Sequence, residues 1–173
     1  MLRAANTYLA QGFGQPLLVG RTDMIKAGFK ALGIPMRPEF QILDTATAPH
    51  GEEFAEFLYS RLQRRGYLKR DCERMVRNER NVFAALMVVH GHADAMVSGV
   101  TRNWTSVYKD AMRVVDVKPG RRPIGATLAL CKGRAVMIAD TSVHDMPGAE
   151  EIAGIAIEAA RTARRFGLTP RVA

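Results

Sequence analysis

Two short loops hold the side chains of this sequence that are best suited to bind an anion. The first loop, residues 98–103, contains Ser98, Gly99, Thr101, Arg102 and Asn103. Its hydroxyls and amide donate hydrogen bonds, Arg102 contributes a positive charge, and Gly99 lets a ligand approach the backbone closely. This composition predicts a site for a phosphate or another anionic group.

The second loop, residues 140–145, contains Asp140, Thr141, Ser142 and His144. Each loop is expected to follow a strand, Ala95–Val97 in the first case and a strand ending at Ala139 in the second. Ligands of open α/β sheets bind beyond the carboxyl ends of parallel strands, where helix N-termini also point their N–H groups. If both strands are parallel, the two loops share one rim of the sheet and hold a phosphate or an acyl carrier between them.

Simpler interpretations of both loops stay open. Ser98 and Gly99 are also consistent with a turn that only ends a strand. Thr141 or Asp145 is also consistent with a cap of the helix that follows. The common rim is the spatial assumption on which the proposed site depends.

The remaining residue patterns assign neither a metal nor a catalytic group. His90 and His92 flank a glycine in a helix-ending turn, and without clustered carboxylates or cysteines they do not predict a metal site. His144 alone does not establish acid–base catalysis. The sequence contains no Gly-x-Gly-x-x-Gly fingerprint, Walker loop or nucleophile elbow. The residues by themselves therefore predict an anion-binding α/β lobe.

Helical periodicity alternates with short apolar runs along the chain, which is typical of an α/β protein. The predicted helices are Leu2–Gln11, Asp23–Leu32, Glu52–Arg65, Arg70–Arg77, Asn81–His90, Trp104–Val115 and a long helix with Pro147 in its first turn. The predicted strands are Pro16–Val19, Phe40–Leu43, Ala95–Val97, two runs between Ile124 and Ala139, and the start of another at Pro170. Lys132 and Gly133 separate the two runs and predict a tight hairpin turn.

The charge of the chain favours anionic partners. The 173 residues include 25 Lys and Arg against 17 Asp and Glu, a net charge of +8. Much of the excess lies between Arg61 and Arg80, and Tyr59 and Tyr67 are the only aromatic residues in or just before this stretch. Because stacking aromatics are scarce, this stretch predicts a solvated or subunit-contacting basic face and no nucleic-acid partner.

Several classes of protein are excluded by composition. No apolar run approaches the roughly 20 residues of a membrane span, so no membrane partner is expected. The N-terminal residues lack the pattern of a secretory signal, which predicts a cytoplasmic protein. Cys72 and Cys131 lie far apart and outside any metal-ligand spacing. We therefore expect two reduced thiols rather than a disulfide.

Several segments resemble the phosphate acetyl/butyryltransferase family. They are Asn78–Val88, Gly91–Arg102, Val136–Thr141, Asp145–Pro147 and Glu150–Ala153. Within the family the likeness is to the C-terminal transacetylase-like domain of bacterial hybrid NADP-dependent malic enzymes, and it extends to Ala160–Gly167 and Pro170–Ala173. The likeness runs the length of the chain and is dense from Asn78 onward.

The resemblance implies a fold and a ligand. Such domains are two-lobed, isocitrate dehydrogenase-like α/β/α folds that bind coenzyme A thioesters between the lobes. Residues 1–173 would form a partial domain, truncated at both ends: one three-layer α/β/α lobe with a mostly parallel sheet plus a β-hairpin. The ligand-binding residues would be Ser98, Gly99, Thr101, Arg102, Lys109, Asp140 and Thr141, with the Arg61 region as a further phosphate contact.

The implied function is regulatory. The domain would sense acetyl-CoA and support a homo-oligomer, while a separate N-terminal part would hold NADP and a divalent metal and oxidatively decarboxylate malate. The alternatives are a lobe of a genuine phosphate acetyltransferase, which exchanges acetyl between coenzyme A and phosphate, and a structural module without a ligand. Because an incomplete lobe exposes strand edges and apolar surface, we expect the isolated chain to associate or to be marginally stable.

The sequence departs from the transacetylase pattern at the groups that carry catalysis. Phosphotransacetylases place a Ser-Arg pair and an Asp of the active cleft later in the domain, and no residue here matches them. Lys109 and Asp110 stand where an Arg-Pro pair would fall. Lysine lacks the bidentate fork of arginine, and transfer needs an oriented thiolate and phosphate-holding cations. The chain alone is therefore expected to be inactive.

Overall fold

The computed structural model describes residues 1–173, which form two compact units, Met1–Val115 and Asp116–Ala173. The first unit contains α1 (Leu2–Ala10), β1 (Leu17–Val19), α2 (Thr22–Ala31), β2 (Gln41–Leu43), α3 (Gly51–Leu62), α4 (Lys69–Asn78), α5 (Arg80–Val89) and α6 (Trp104–Val114). The second contains β3 (Ala126–Cys131), β4 (Arg134–Ala139) and α7 (Ala149–Arg165). No helix has both the length and the apolar character needed to cross a bilayer.

One β-α-β unit opens the first unit. β1 and β2 are parallel, with Leu17, Leu18 and Val19 opposite Gln41, Ile42 and Leu43, and α2 connects them. Parallel strands need a crossover connection of this kind because the chain must return to the same end of the sheet before the second strand begins, and a tight turn joins only antiparallel strands. The two strands predicted around positions 16–19 and 40–43 are confirmed.

Four helices build the core of the first unit. Apolar residues at intervals of three and four give α3 one buried face, which contains Phe54, Leu58 and Leu62. α5 is buried on most sides, as predicted from its composition. Their buried neighbours from α4 and α6 are Cys72, Met75, Val76 and Val114. This core holds α5 in place, and α5 is the helix that precedes the first candidate loop along the chain.

A hairpin and a long helix form the second unit. β3 and β4 pair in antiparallel register from Ala126 opposite Ala139 to Cys131 opposite Arg134. Lys132 and Gly133 have φ angles of 48° and 75°, which match a two-residue hairpin turn with left-handed central residues. The predicted hairpin is confirmed.

A buried carboxylate lies on α7. The Glu158 side chain accepts hydrogen bonds from Arg121 Nη2 and from Arg161 Nη1, each at 2.6 Å. The hydrogen bond from Arg121 holds the pKa of Glu158 below its usual value, against the opposing effect of burial. This triad attaches α7 to the segment that precedes β3.

Three details of the predicted elements are wrong. Residues 95–97 form no strand, because no neighbouring chain pairs with them and Val97 is 83% exposed rather than buried. Pro147 precedes α7, because Glu151 Oε2 accepts the Gly148 N–H at 3.0 Å and fixes the helix start at Ala149. Residues 170–173 adopt no regular structure.

Candidate functional site

The first candidate loop, residues 98–103, lies between α5 and α6 and leads directly into α6. The Arg102 N–H donates to the Gly99 carbonyl at 3.2 Å, which closes a turn. Gly99 has a φ of 126°, a backbone conformation that side chains disfavour. Asn103 is the N-cap of α6, and its Oδ1 accepts the Thr105 N–H at 2.9 Å. The loop thus has a defined shape that presents the exposed Ser98, Thr101 and Arg102 side chains.

A chain of polar contacts leads from this loop into the first unit. Ser98 Oγ donates to Asn81 Oδ1 at 2.7 Å, and Asn81 Nδ2 donates to Asp110 Oδ2 at 2.9 Å. Arg113 Nη1 then donates to Asp110 Oδ1 at 3.1 Å and to Glu79 Oε2 at 3.0 Å. Through these contacts α5 and α6 orient the Ser98 hydroxyl.

The far end of this polar chain borders a groove of about 490 Å³. Its charged lining residues are three arginines, Arg65, Arg74 and Arg113, and two acidic residues, Asp71 and Glu79. Asp71 is already engaged, since its Oδ2 accepts the Leu68 N–H at 3.2 Å and its Oδ1 lies 3.3 Å from Arg74. Apart from Arg113, the residues that line the groove belong to the basic segment between Arg61 and Arg80.

The buried carboxylate of Asp140 holds the second candidate loop together through hydrogen bonds. Its carboxylate accepts the N–H groups of Gly125 at 3.0 Å and of Val143 and His144 at 3.1 Å, and it also contacts His144 Nδ1. Burial raises the pKa of this carboxyl, but the hydrogen bonds from His144, Gly125 and Val143 outweigh burial and lower the pKa to about 2. Its contacts stabilise the loop, whereas the exposed Thr141 faces solvent.

The structure separates the predicted site residues into two groups. Ser98, Gly99, Thr101, Arg102 and the exposed Lys109 lie in residues 1–115, and Asp140 and Thr141 lie in residues 116–173. The premise of two parallel parent strands is wrong, because residues 95–97 are not a strand and β4 pairs antiparallel. The common rim of the two loops stays a prediction. Neither Thr141 nor Asp145 caps α7, whose N-cap is Gly148.

Other residues near the loops were missed in the sequence. Asn81 contacts Ser98 across 17 positions and Arg113 contacts Glu79 across 34 positions, distances that no local spacing reveals. A second missed group is His50, Glu53 and His92, whose potential ligand atoms all lie within 4.8 Å of one another. The Glu-His spacing of three residues was visible in the sequence, but the third member is 39 residues away from Glu53.

Comparisons with known proteins agree along the whole chain. The family model for phosphate acetyl/butaryl transferase matches residues 1–173. An NADP-dependent malic enzyme of Rhizobium meliloti is 48% identical over 174 residues, an alignment that covers 100% of this chain and 23% of that enzyme. A phosphate acetyltransferase of Helicobacter pylori is 29% identical over 174 residues, which cover 100% of this chain and 33% of that protein.

Solved structures match the fold. A phosphotransacetylase from Streptococcus pyogenes has a TM-score of 0.87 at 24% identity, over 98% of this chain and 51% of that chain. A phosphotransacetylase from Staphylococcus aureus has a TM-score of 0.82 at 23% identity over the same shares. The α/β class and the partial phosphotransacetylase-like fold expected from the sequence are confirmed, and the chain spans only part of the relatives that it matches. The chain belongs to the phosphate acetyl/butaryl transferase family.

Proposed function

We propose that the chain is an acetyl-CoA-binding, transacetylase-like regulatory module of an NADP-dependent malic enzyme and has no transferase activity of its own. The observation that carries this proposal is the 48% identity, across the whole chain, to a malic enzyme of which it covers 23%. In this proposal NADP, a divalent metal and malate decarboxylation belong to a separate N-terminal part. The module acts in the cytoplasm.

The loop after α5 supplies the first set of proposed ligand contacts. Ser98, Gly99, Thr101 and Arg102 are exposed, and the turn at Gly99 holds their backbone in one conformation. The guanidinium of Arg102 can donate two parallel hydrogen bonds to a phosphate group of coenzyme A. The exposed Lys109 is a further proposed contact in the same unit. In the second unit Asp140 is proposed to act by holding the loop that presents Thr141 to a ligand.

In this proposal the basic groove binds the phosphate groups of coenzyme A that Arg102 does not contact. Arg65 and Arg74 are exposed, and Arg113 is held by Glu79 and Asp110. A phosphate entering the groove would compete with these carboxylates for the guanidinium groups. Because these charges are partly solvated, we expect the affinity of the groove for phosphate to fall as the salt concentration rises.

The exposed apolar surface of the first unit supports the proposed homo-oligomer. Val97 and Val100 are 83% and 74% exposed, and the Trp104 ring is also accessible. Val100 lies within the candidate loop and the other two residues flank it, and exposed apolar residues of this kind are typical of contact surfaces. Unfolding should depend on protein concentration, and sharp unfolding that is independent of concentration would contradict the oligomer.

Isothermal titration calorimetry tests the ligand. Acetyl-CoA is titrated into the polypeptide encoded by the complete reading frame and into its Arg102→Ala and Lys30→Ala variants. Loss of a charge-assisted phosphate contact of about 1.5–3 kcal/mol weakens binding by roughly 10-fold to 150-fold. Lys30, an exposed cation in the last turn of α2, is the matched control and should leave the affinity unchanged. Absence of binding at millimolar acetyl-CoA removes the proposal.

A genuine phosphate acetyltransferase lobe is the second candidate. It is favoured by the 29% identity to a phosphate acetyltransferase over the whole chain. The same polypeptide is assayed with acetyl phosphate and coenzyme A for formation of acetyl-CoA. Turnover would support this second function, whereas binding without turnover favours the regulatory module. A chain that stays assembled and ignores every acyl-CoA would instead be a structural module.

A further inference from the structure

We propose that His50, Glu53 and His92 form a binding site for a divalent transition metal of the Zn²⁺ class in the first unit. Two imidazoles and one carboxylate contribute one ligand atom each, and these atoms lie within 4.8 Å of one another. Three protein ligands are the number found at zinc sites that keep a fourth position for water. The site would tie the start of α3 to the segment that leads from α5 to Ser98.

The donor atoms need only a small contraction to reach bonding distance. His50 Nδ1 lies 3.9 Å from Glu53 Oε2. Around a tetrahedral Zn²⁺ with bonds of about 2.1 Å, neighbouring ligand atoms are about 3.4 Å apart. The Glu53 side chain is 60% exposed, so it can rotate toward the imidazoles without disturbing the core.

Both histidines are held by their backbone and by the core beneath them. The His50 carbonyl accepts the Phe54 N–H at 3.0 Å, and the His92 N–H donates to the Met87 carbonyl at 2.8 Å. The two imidazole rings stack with centroids 4.2 Å apart, and the His50 ring stacks on the buried Phe54 at 5.5 Å. The two side chains are therefore already adjacent, and because a ligating imidazole nitrogen points its lone pair within the plane of its ring, metal binding would turn the exposed His92 ring out of this stack.

The ligand types select the metal. Imidazole nitrogen suits zinc, copper, nickel and iron, whereas magnesium and calcium prefer sites made of oxygen alone. His50 and Glu53 are three positions apart at the first turn of α3, so one helix face carries both ligands. His92 reaches the same point from the turn after α5, which explains why the site needs the folded chain.

Zn²⁺ titration of the chain by calorimetry tests the site. All proteins carry Cys131→Ser, because Cys131 is an exposed thiol that could bind zinc independently. We expect one Zn²⁺ per chain, and we expect Glu53→Gln and His92→Gln each to weaken binding by at least about tenfold, since even outer-shell losses cost 10-fold to 100-fold. Co²⁺ in place of Zn²⁺ should give visible absorption bands that these two variants lose.

Two matched control variants distinguish zinc binding at this site from a general effect of the charge of the protein. Glu52→Gln removes a neighbouring exposed carboxylate from the same helical turn, and His144→Gln removes a histidine that pairs with Asp140 in the other unit. Both should keep the affinity within about twofold of the parent, because Glu52 is an exposed surface charge and His144 is not one of the three proposed ligands. Equal losses in Glu52→Gln and Glu53→Gln, or a Zn²⁺ affinity weaker than millimolar in a chain whose circular dichroism is native, would overturn the proposal.

Discussion

The Asp140 carboxylate provides a quantitative test of how the second candidate loop is stabilised. Three backbone N–H groups and the His144 ring contact it, and its side chain is only 2% exposed. These contacts outweigh the desolvation that raises its pKa and lower the pKa from 3.8 to about 2. Substitution Asp140→Asn replaces one acceptor oxygen by an amide group that cannot accept a hydrogen bond.

The pKa difference sets the size of the effect. A depression from 3.8 to about 2 corresponds to about 2 kcal/mol of unfolding free energy. Because the pKa is lower in the folded state, this stabilisation is fully present above the unfolded pKa. It is lost as the pH falls from near 4 through about 2. Asp140→Asn should therefore cost about 2 kcal/mol at neutral pH and remove this part of the acid dependence.

Carboxyl carbon NMR shifts give the pKa of Asp140 directly, and urea unfolding followed through amide signals of residues 126–165 gives the free energy. Asp145→Asn is the control, since this carboxylate is exposed in the same loop. The control should follow the parent protein at every pH. A measured pKa of Asp140 at 3.8 or above, or an acid dependence that survives Asp140→Asn, would refute the reasoning.

Two further predictions concern the first unit and the thiols. Phe54→Ala opens the centre of the core, where this ring is 0% exposed, and should lower the unfolding free energy by about 3–5 kcal/mol in urea denaturation followed by Trp104 fluorescence. The exposed Phe13→Ala should change it by less than about 0.5 kcal/mol, and equal effects would contradict the assigned core. Burial raises the pKa of the Cys72 thiol, so a thiol-specific reagent should label the exposed Cys131 in the native chain and Cys72 only after unfolding. Rapid native labelling of both thiols would show that the interior opens readily.

Local patterns were sufficient to predict most of the elements. The periodic Phe54, Leu58 and Leu62 specify the buried face of α3, and Lys132-Gly133 specifies the turn between β3 and β4. Both signals act over a few residues, so the rest of the fold does not override them. Burial of only one of the two cysteines could not be predicted, because it depends on which faces of α4 and β3 are covered.

Strand pairing beyond the hairpin and contacts between distant side chains could not be predicted. The apolar run Ala95–Val97 suggested a strand, but a strand exists only when a neighbour accepts its backbone hydrogen bonds, and this segment has none. Ser98 was correctly placed in a loop, while its partner Asn81 lies on a helix 17 positions earlier. His50 and His92 likewise meet only because α3 and α5 share one core.

The ion triad of Glu158, Arg121 and Arg161 restricts how α7 can rotate about its own axis. Its sequence is rich in alanine, and small side chains of this kind would tolerate several rotations of the helix about its own axis. Turning the helix by one residue would carry Glu158 about 100° away from Arg121 and leave this desolvated charge with Arg161, on the same helix, as its remaining partner in the triad. The triad therefore favours one rotational position of α7 about its axis, whereas hydrophobic packing alone would allow several.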